Sequence, residues 1–226
     1  SCAWEIPKGG HICRTAPHLG YVLIMIKHQQ IARKVPPASR VLDVGCGPGD
    51  LGRSLNGKQC NVTGWDLKLD RINANREFYQ SLEELDIEKQ GFGNEKYDVV
   101  VFSDVLEHLI DPEKVLTKSR ESLRPGGMVL ISLPNVAYLG IRLGLLKGNW
   151  NYTDEGILAR SHLRFFTLST TEQLLMSSGF RVQDMEPEIP IIHSAWKPVV
   201  YSILSKAWPS LFAIGWVFQG CDPRNL

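Results

Sequence analysis

No stretch of this sequence approaches the roughly 20 consecutive apolar residues that a bilayer-spanning helix needs, so no transmembrane span is expected. Charge of one sign is lacking too. The 25 Lys and Arg stand against 24 Asp and Glu, for a net charge of +1. That gives no overall electrostatic case for nucleic acid or an anionic membrane, although it leaves a local basic patch open. Cysteine is sparse: Cys2, Cys13, Cys46, Cys60 and Cys221 are odd in number, scattered, and form no C-x-x-C pair. A disulfide framework or zinc ribbon is thereby disfavoured, and a reducing compartment is the simpler reading. Internal repeats and low-complexity tracts are absent. The opening Ser1-Cys2-Ala3-Trp4-Glu5 has no basic segment followed by an apolar core, so no secretory leader is read there and a cytoplasmic location is expected. The first residue is not Met, which fits a processed or trimmed N-terminus.

What is present is ordinary for a globular protein: 226 residues, 43% hydrophobic and 22% charged, enough for one domain with a useful core. Residues 1–16 read as irregular. Leu19, Val22, Leu23, Ile26 and Ile31 recur at helical spacing, predicting a helix over 18–34 that Pro36-Pro37 stops. Strands are predicted at Arg40–Val44, Asn61–Asp66, Tyr97–Phe102, Met128–Leu133, Phe180–Met185 and Leu211–Gln219. Helices are predicted at Asp50–Leu55, Leu69–Tyr79, from Asp111-Pro112-Glu113 onward, after a Ser169/Glu172 capping box to Gly179, and at Ala195–Trp208. Residues 80–95 carry no clear pattern. Strands alternating with helices argue for a parallel, doubly wound sheet, in which ligands bind at the carboxyl ends of the strands. Asp43, Asp66 and Asp104 lie at or just past such ends, so all three are expected to face one crevice.

The chain is organised around Val41-Leu42-Asp43-Val44-Gly45-Cys46-Gly47-Pro48-Gly49-Asp50-Leu51-Gly52: a buried strand, a glycine turn and a helix N-terminus. Gly47-x-Gly49-x-x-Gly52 with Asp66 downstream also fits the dinucleotide fingerprint, so a nicotinamide-dependent oxidoreductase stays open at this point. The acid ending the strand and the x-Gly45-x-Gly47-x-Gly49 spacing, by contrast, resemble motif I of the class I S-adenosylmethionine-dependent methyltransferases. Later stretches extend the likeness over about residues 38–220: Tyr97-Asp98-Val99-Val100, Leu109-Ile110-Asp111-Pro112 and Leu123-Arg124-Pro125-Gly126-Gly127. Ser103-Asp104-Val105-Leu106-Glu107-His108-Leu109, Ser132-Leu133-Pro134-Asn135 and His162-Leu163-Arg164-Phe165-Phe166-Thr167 are similar to a bacterial branch. That branch lies near the ubiquinone-biosynthesis O-methyltransferases, the methionine-biosynthesis W-type proteins and the methyltransferases of surface-polysaccharide gene clusters. The resemblance implies a Rossmann-like, mostly parallel seven-stranded sheet with an antiparallel C-terminal hairpin. It implies S-adenosyl-L-methionine as cofactor, held by Asp43, Gly45, Cys46, Gly47, Gly49, Asp66, Leu67, Asp86, Ile87 and Ser103. Asp66 would take the ribose hydroxyls, and Asp86-Ile87 the adenine.

Asp104, Glu107 and His108 are spaced i, i+3, i+4, which on a helical turn puts them on one face. Two carboxylates and an imidazole suit a divalent metal (Mg, Mn or Zn), and His162 is a candidate fourth ligand. Related methyltransferases with an acid-x-x-Glu-His pattern hold a metal there, with Glu where this chain has Asp104. A metal-free arrangement is the competing reading: His108 as base, Glu107 supporting it, His162 and Arg164 closing over from an insertion. A single domain over 1–226 is expected, with an N-terminal helical segment at 1–37, a lid-like insertion at 136–168 and a C-terminal helical insertion at 190–210. Trp150 and Tyr152 either stack on an acceptor or pack the insertion; His193 and Trp196 read as structural. The expected function is methyl transfer to an oxygen of a small molecule or glycan, with a non-catalytic regulatory subunit as the alternative. An RNA acceptor is disfavoured by the near-neutral charge.

Overall fold

The computed structural model describes residues 27–190 and 197–225. The predicted helix positions Leu19, Val22, Leu23 and Ile26, together with His193 and Trp196, lie outside the described residues. Helix α1 (27–34) presents Ile31 and Ala32 to the core and ends before Pro36-Pro37. The first half of the chain then alternates β1 (Arg40–Val44), α2 (Asp50–Ser54), β2 (Asn61–Asp66), β3 (Ser81–Glu84), α3 (Ile87–Gln90), β4 (Tyr97–Ser103) and α4 (Pro112–Ser119). The second half adds β5 (Leu123–Pro134), α5 (Leu139–Leu146), α6 (Leu168–Ser177), β6 (Arg181–Glu188), α7 (Lys197–Ala207), α8 (Pro209–Phe212) and β7 (Gly215–Cys221).

These strands form one seven-stranded sheet in the order β3-β2-β1-β4-β5-β7-β6. Every pair from β3 to β5 is parallel, and β7 lies antiparallel between β5 and β6. This is the doubly wound sheet with a C-terminal antiparallel hairpin that the sequence predicts. Strand periodicity divides the core: Leu42, Val100, Phe102 and Ile131 pack on one face, while Val41, Val99, Val101 and Leu130 pack on the other with Ile31 and Leu51. Among the described residues no helix is long and apolar enough to cross a membrane.

Several local expectations are corrected. Residues 69–79 are not one helix but turns with a single 3-10 turn at Arg76–Phe78. Asn73 Nδ2 bonds the Asp70 carbonyl and Asn75 Nδ2 the Pro48 carbonyl, side-chain bonds that compete with a helix ladder. Strand β3 is a polar, mostly exposed edge, so no apolar alternation announces it. β5 begins at Leu123, five residues before Met128, and passes through Gly126 at φ 77 before regular pairing with β4 resumes. α6 is capped by a reciprocal Thr167–Thr170 box rather than by Ser169 and Glu172. Its end is as expected: Gly179 sits at φ 84, with Gly179 N–H on the Met176 carbonyl and Phe180 N–H on that of Leu175. β6 runs to Glu188, and Leu211 belongs to α8, so β7 starts only at Gly215.

One glycine shows how tightly the helix after the turn is set. The Gly52 N–H donates to Tyr79 Oη at 3.1 Å, and a Cβ at position 52 would run into the buried Tyr79 ring. Gly52→Ala is therefore expected to lower the unfolding free energy by about 1–3 kcal/mol, read from urea denaturation as a lower midpoint with an unchanged slope.

Candidate active site

Strand β1 ends where the chain order reverses between β1 and β4, the place where such sheets open a crevice. Gly45, Gly47 and Gly49 follow at φ 71, 51 and 83. The N–H groups of Gly45 and Cys46 both donate to the Trp65 carbonyl, fastening the turn to β2. At Gly45 a Cβ would stand 2.5 Å from Val105 Cγ2, whereas at Gly47 it would meet nothing nearer than 3.9 Å. Gly47 thus faces open space, and its N–H donates to Asp66 Oδ2 at 2.7 Å.

The crevice has two joined lobes. The first, about 490 Å³, is lined by Trp65, Asp66, Leu67, Asp86 and Ile87 among others. The second, about 470 Å³, is lined by Cys46, Gly47, Ser103, Glu107 and His162, with Lys27, His28 and Glu188. Gly45, Arg71, Asp104, His108 and Ser161 line both. Asp66 and Asp104 therefore share the crevice as expected, but Asp43 does not. Strand alternation turns it inward, 2% exposed, where its carboxylate accepts from Tyr79 Oη at 2.7 Å. Burial pushes Asp43 up to about 7 against the pull of that hydrogen bond. Gly49 is also outside the lining. It approaches Asn75, whose amide reaches the Pro48 carbonyl and Asp50. Asp86 caps α3 by accepting from the Glu88 N–H.

The i, i+3, i+4 set does not share one helical face. Asp104 adopts φ 53, and only Leu106–His108 form a 3-10 turn, so the Asp104 side chain parts from those of Glu107 and His108. Glu107 is fully buried and neither carboxylate oxygen has a partner. His108 and His162 face each other edge-on at 4.9 Å between ring centroids. Each engages a backbone carbonyl through Nδ1, His108 at Ser161 and His162 at Ile157, both at 3.0 Å, which leaves each Nε2 available. One ligand atom each from Glu107, His108 and His162 fall within 4.8 Å of one another, and Asp104 is not in that group. It turns instead to Lys27, while Ser132 Oγ donates to its other oxygen at 3.0 Å. The Glu107 carbonyl accepts from the N–H groups of Leu163 and Arg164, which fastens the segment after β5 to the site. Trp150 packs edge-on against Phe165 at 5.3 Å between centroids, and Tyr152 is 48% exposed.

Burial, then the charge of Asp104, pushes Glu107 well above the usual carboxylate range. Burial pulls His162 down and lifts Glu188 to about 7, although Lys27 opposes that rise. Lys27 is buried, which favours its neutral form, but the carboxylates of Asp104 and Glu188 outweigh this and hold it above its ordinary value. Sequence reasoning missed Lys27, His28, Ser132 and Glu188. Lys27 carries a signal: it precedes Ile31 by four residues, on the face that the periodicity assigns to the core. Glu188, between Pro187 and Pro190, carries none.

A model of the methyltransferase domain family matches residues 20–184. The chain belongs to that family. The match decides between the two readings of the glycine loop against the nicotinamide one. A ubiquinone biosynthesis O-methyltransferase from Aeromonas salmonicida is 32% identical over 161 residues, covering 65% of this chain and 64% of that protein. The chain thus spans less than two thirds of that relative's length. Among solved structures, an S-adenosylmethionine-dependent methyltransferase from Archaeoglobus fulgidus superposes with a TM-score of 0.63 at 18% identity, over 88% of this chain and 93% of that one. Magnesium protoporphyrin IX methyltransferase from Synechocystis, solved with bound S-adenosylhomocysteine, gives 0.61 at 15% identity, over 94% and 89%. At such identities these structures establish the fold.

The buried Asp43 of this methyltransferase-family chain makes a pH signature. Its value rises from 3.8 in ordinary surroundings to about 7 in the fold. The folded state therefore holds an extra proton between those values, and stability falls as pH rises through that window. Asp43→Asn removes the dependence while keeping an acceptor for Tyr79. The variant's unfolding free energy minus that of the parent should climb from pH 4 to pH 8, by at most about 4 kcal/mol. Paired urea melts across that range check it, and a flat difference would count against an inward-facing carboxyl.

Proposed function

We propose that the chain binds S-adenosylmethionine in the first lobe and along the glycine turn that walls one side of the second, and moves its methyl group to an oxygen of a small molecule or glycan seated in the rest of the second lobe. The observation that carries this reading is the pair of joined lobes, with His108 on the wall of both. The first lobe fits the cofactor. Asp66 on its wall offers a carboxylate for two vicinal hydroxyls, and Gly47, on the adjoining wall of the second lobe, leaves room for a ligand against bare backbone. Leu67, Asp86 and Ile87 line the end of the first lobe suited to the adenine, and Gly45, Cys46 and Ser103, on the adjoining wall of the second, the end suited to the amino-acid portion. Asp43 and Gly49 act behind them, through the shape of the turn.

S-adenosylmethionine supplies an already activated methyl group. What the chain must add is alignment of the acceptor oxygen and a destination for its proton. His108 is the base in this reading, its Nε2 freed by the Nδ1 contact to Ser161. Buried Glu107 lies within reach of His108 as a second site for the proton, and His162 closes the lobe from the 136–168 insertion, which serves as a lid-like wall of the single domain, while Arg164 ties that segment to the Ile110 carbonyl. The donor set of Glu107, His108 and His162 also fits a divalent metal. A carboxylate with two orphaned oxygens and two imidazoles oriented by backbone carbonyls are what such an ion requires, with Mn²⁺ or Zn²⁺ favoured over Mg²⁺ by the nitrogen donors. There an ion would polarise the acceptor hydroxyl. Asp104 is left out of that set because Lys27 and Ser132 occupy it.

Calorimetric titration of metal-stripped protein with S-adenosylhomocysteine is expected to show one-to-one binding, weakened about ten- to hundredfold by Asp66→Ala. Absence of binding to the parent chain would overturn the cofactor assignment. A separate Mn²⁺ titration tests the metal: binding that Glu107→Gln abolishes supports it, and no binding to the parent removes it. With an acceptor in hand, His108→Ala should keep its affinity for S-adenosylhomocysteine and lose turnover by about 10²–10⁴-fold; unchanged turnover would reject His108 as base.

A further inference from the structure

The proposed function leaves unused the one described ammonium in this crevice that sits among carboxylates. Lys27 is 9% exposed, lines the second lobe, pairs with Asp104 and stands 3.4 Å from Glu188 Oε2. Its place is set from outside the site. Along the same helix α1, Arg33 and Gln30 bond Glu186 at 2.7 and 3.1 Å, and Lys34 pairs with Asp184, so α1 is strapped to β6. Asp104 is held equally firmly. Its φ of 53 is one that a non-glycine residue keeps only when its surroundings fix it. Ser132 Oγ accepts from the Asp104 N–H at 3.1 Å and donates to Oδ1 at 3.0 Å, while Lys27 engages Oδ2. Both carboxylate oxygens are thus engaged at the seam where the two lobes meet.

We propose that Lys27 is a positioning residue that fixes Asp104 at this seam and sets the charge presented to the cofactor's sulfonium, so that it governs discrimination between cationic S-adenosylmethionine and neutral S-adenosylhomocysteine. The inference rests on the reading of the first lobe as the cofactor site, which brings the sulfonium to the seam. The two molecules differ at one methyl and one positive charge, so their affinity ratio isolates the electrostatic contribution from every shared contact. Lys27 cancels one carboxylate charge in a buried setting where screening is weak. Without it, Asp104 favours the cation more strongly. Without the Asp104 carboxylate, the seam loses a negative charge while the Lys27 ammonium, still beside Glu188, remains, so the cation is less favoured.

The experiment is calorimetric titration of the full chain, parent, Lys27→Met, Lys27→Arg and Asp104→Asn, with each of the two molecules. Lys27→Met should shift the affinity ratio toward S-adenosylmethionine by about fivefold or more, and Asp104→Asn should shift it toward S-adenosylhomocysteine by a similar factor. Lys27→Arg, which keeps the charge, should stay near the parent ratio. A merely structural Lys27 would weaken both molecules alike. Ratios within about twofold of the parent for both Lys27→Met and Asp104→Asn therefore overturn the proposal. If Lys27→Met fails to fold, Asp104→Asn decides by itself, an unmoved ratio overturning the proposal. A parent that binds neither molecule overturns the cofactor reading instead, an outcome distinct from binding with unmoved ratios.

Discussion

Everything at the site depends on the reversal of strand order between β1 and β4. Connections leave β1 toward β2 on one side and β4 toward β5 on the other, so the carboxyl ends of the two central strands stay uncovered. The gap is narrow. Gly45 at the end of β1 lies so close to Val105, just past β4, that a Cβ would stand 2.5 Å from Val105 Cγ2. Gly45 itself lines both lobes, and the absence of a side chain at Gly47 keeps that part of the second lobe's wall as bare backbone. The catalytic candidates then follow from the strand ends, since Asp104, Glu107 and His108 are the first residues the chain lays down after β4.

The polar cost of the fold is concentrated there. Among the described residues, nine buried side-chain nitrogen or oxygen atoms have no partner, and four of them belong to His28, Glu107 and Glu188 on the wall of the second lobe. Buried polar atoms are costly to leave unpaired, roughly 1–3 kcal/mol each, so this wall is suited to a polar ligand. In the first lobe, by contrast, Asp66 is satisfied by the Gly47 and Lys68 N–H groups. The second lobe thus holds more unmatched hydrogen-bonding capacity than the first, where Trp65 Nε1 is the buried side-chain atom without a partner among the described residues.

How much of this the sequence discloses follows from how local each feature is. β4 is marked by its β-branched run Val99-Val100-Val101 and β1 and β2 by short, largely buried segments that carry an acid at or near the end, and the glycine turn marks itself through three residues that must take positive φ. β3 is hidden because an exposed polar edge needs no apolar pattern. The face expected of Asp104, Glu107 and His108 fails on one dihedral: φ 53 at Asp104 breaks the helix that the spacing assumes. Asp43 was placed in the crevice by its position at a strand end, yet a strand sends alternate side chains to opposite faces and Asp43 falls on the side of Tyr79. Lys27 and Glu188 were illegible as partners. They are 161 residues apart in the chain and meet only because β6 and α1 close over the same end of the sheet.

That last contact bears on where acceptor choice resides. Opposite the glycine turn and the residues after β4, the rest of the second lobe's wall is assembled from three distant segments: α1 with Lys27 and His28, the stretch 154–162 with His162, and the end of β6 with Glu188. None of them contributes to the glycine turn or to the Asp66 contact. The stretch before α6 is nevertheless tied to the reacting groups, since Leu163 and Arg164 bond the backbone of Glu107 and Ser161 orients His108. A change in this stretch therefore moves Glu107 and His108 with it while leaving the β1–β2 turn untouched. Separating the fastening of the cofactor turn from the fastening of the acceptor wall lets one fold keep its cofactor lobe while the acceptor lobe is rebuilt.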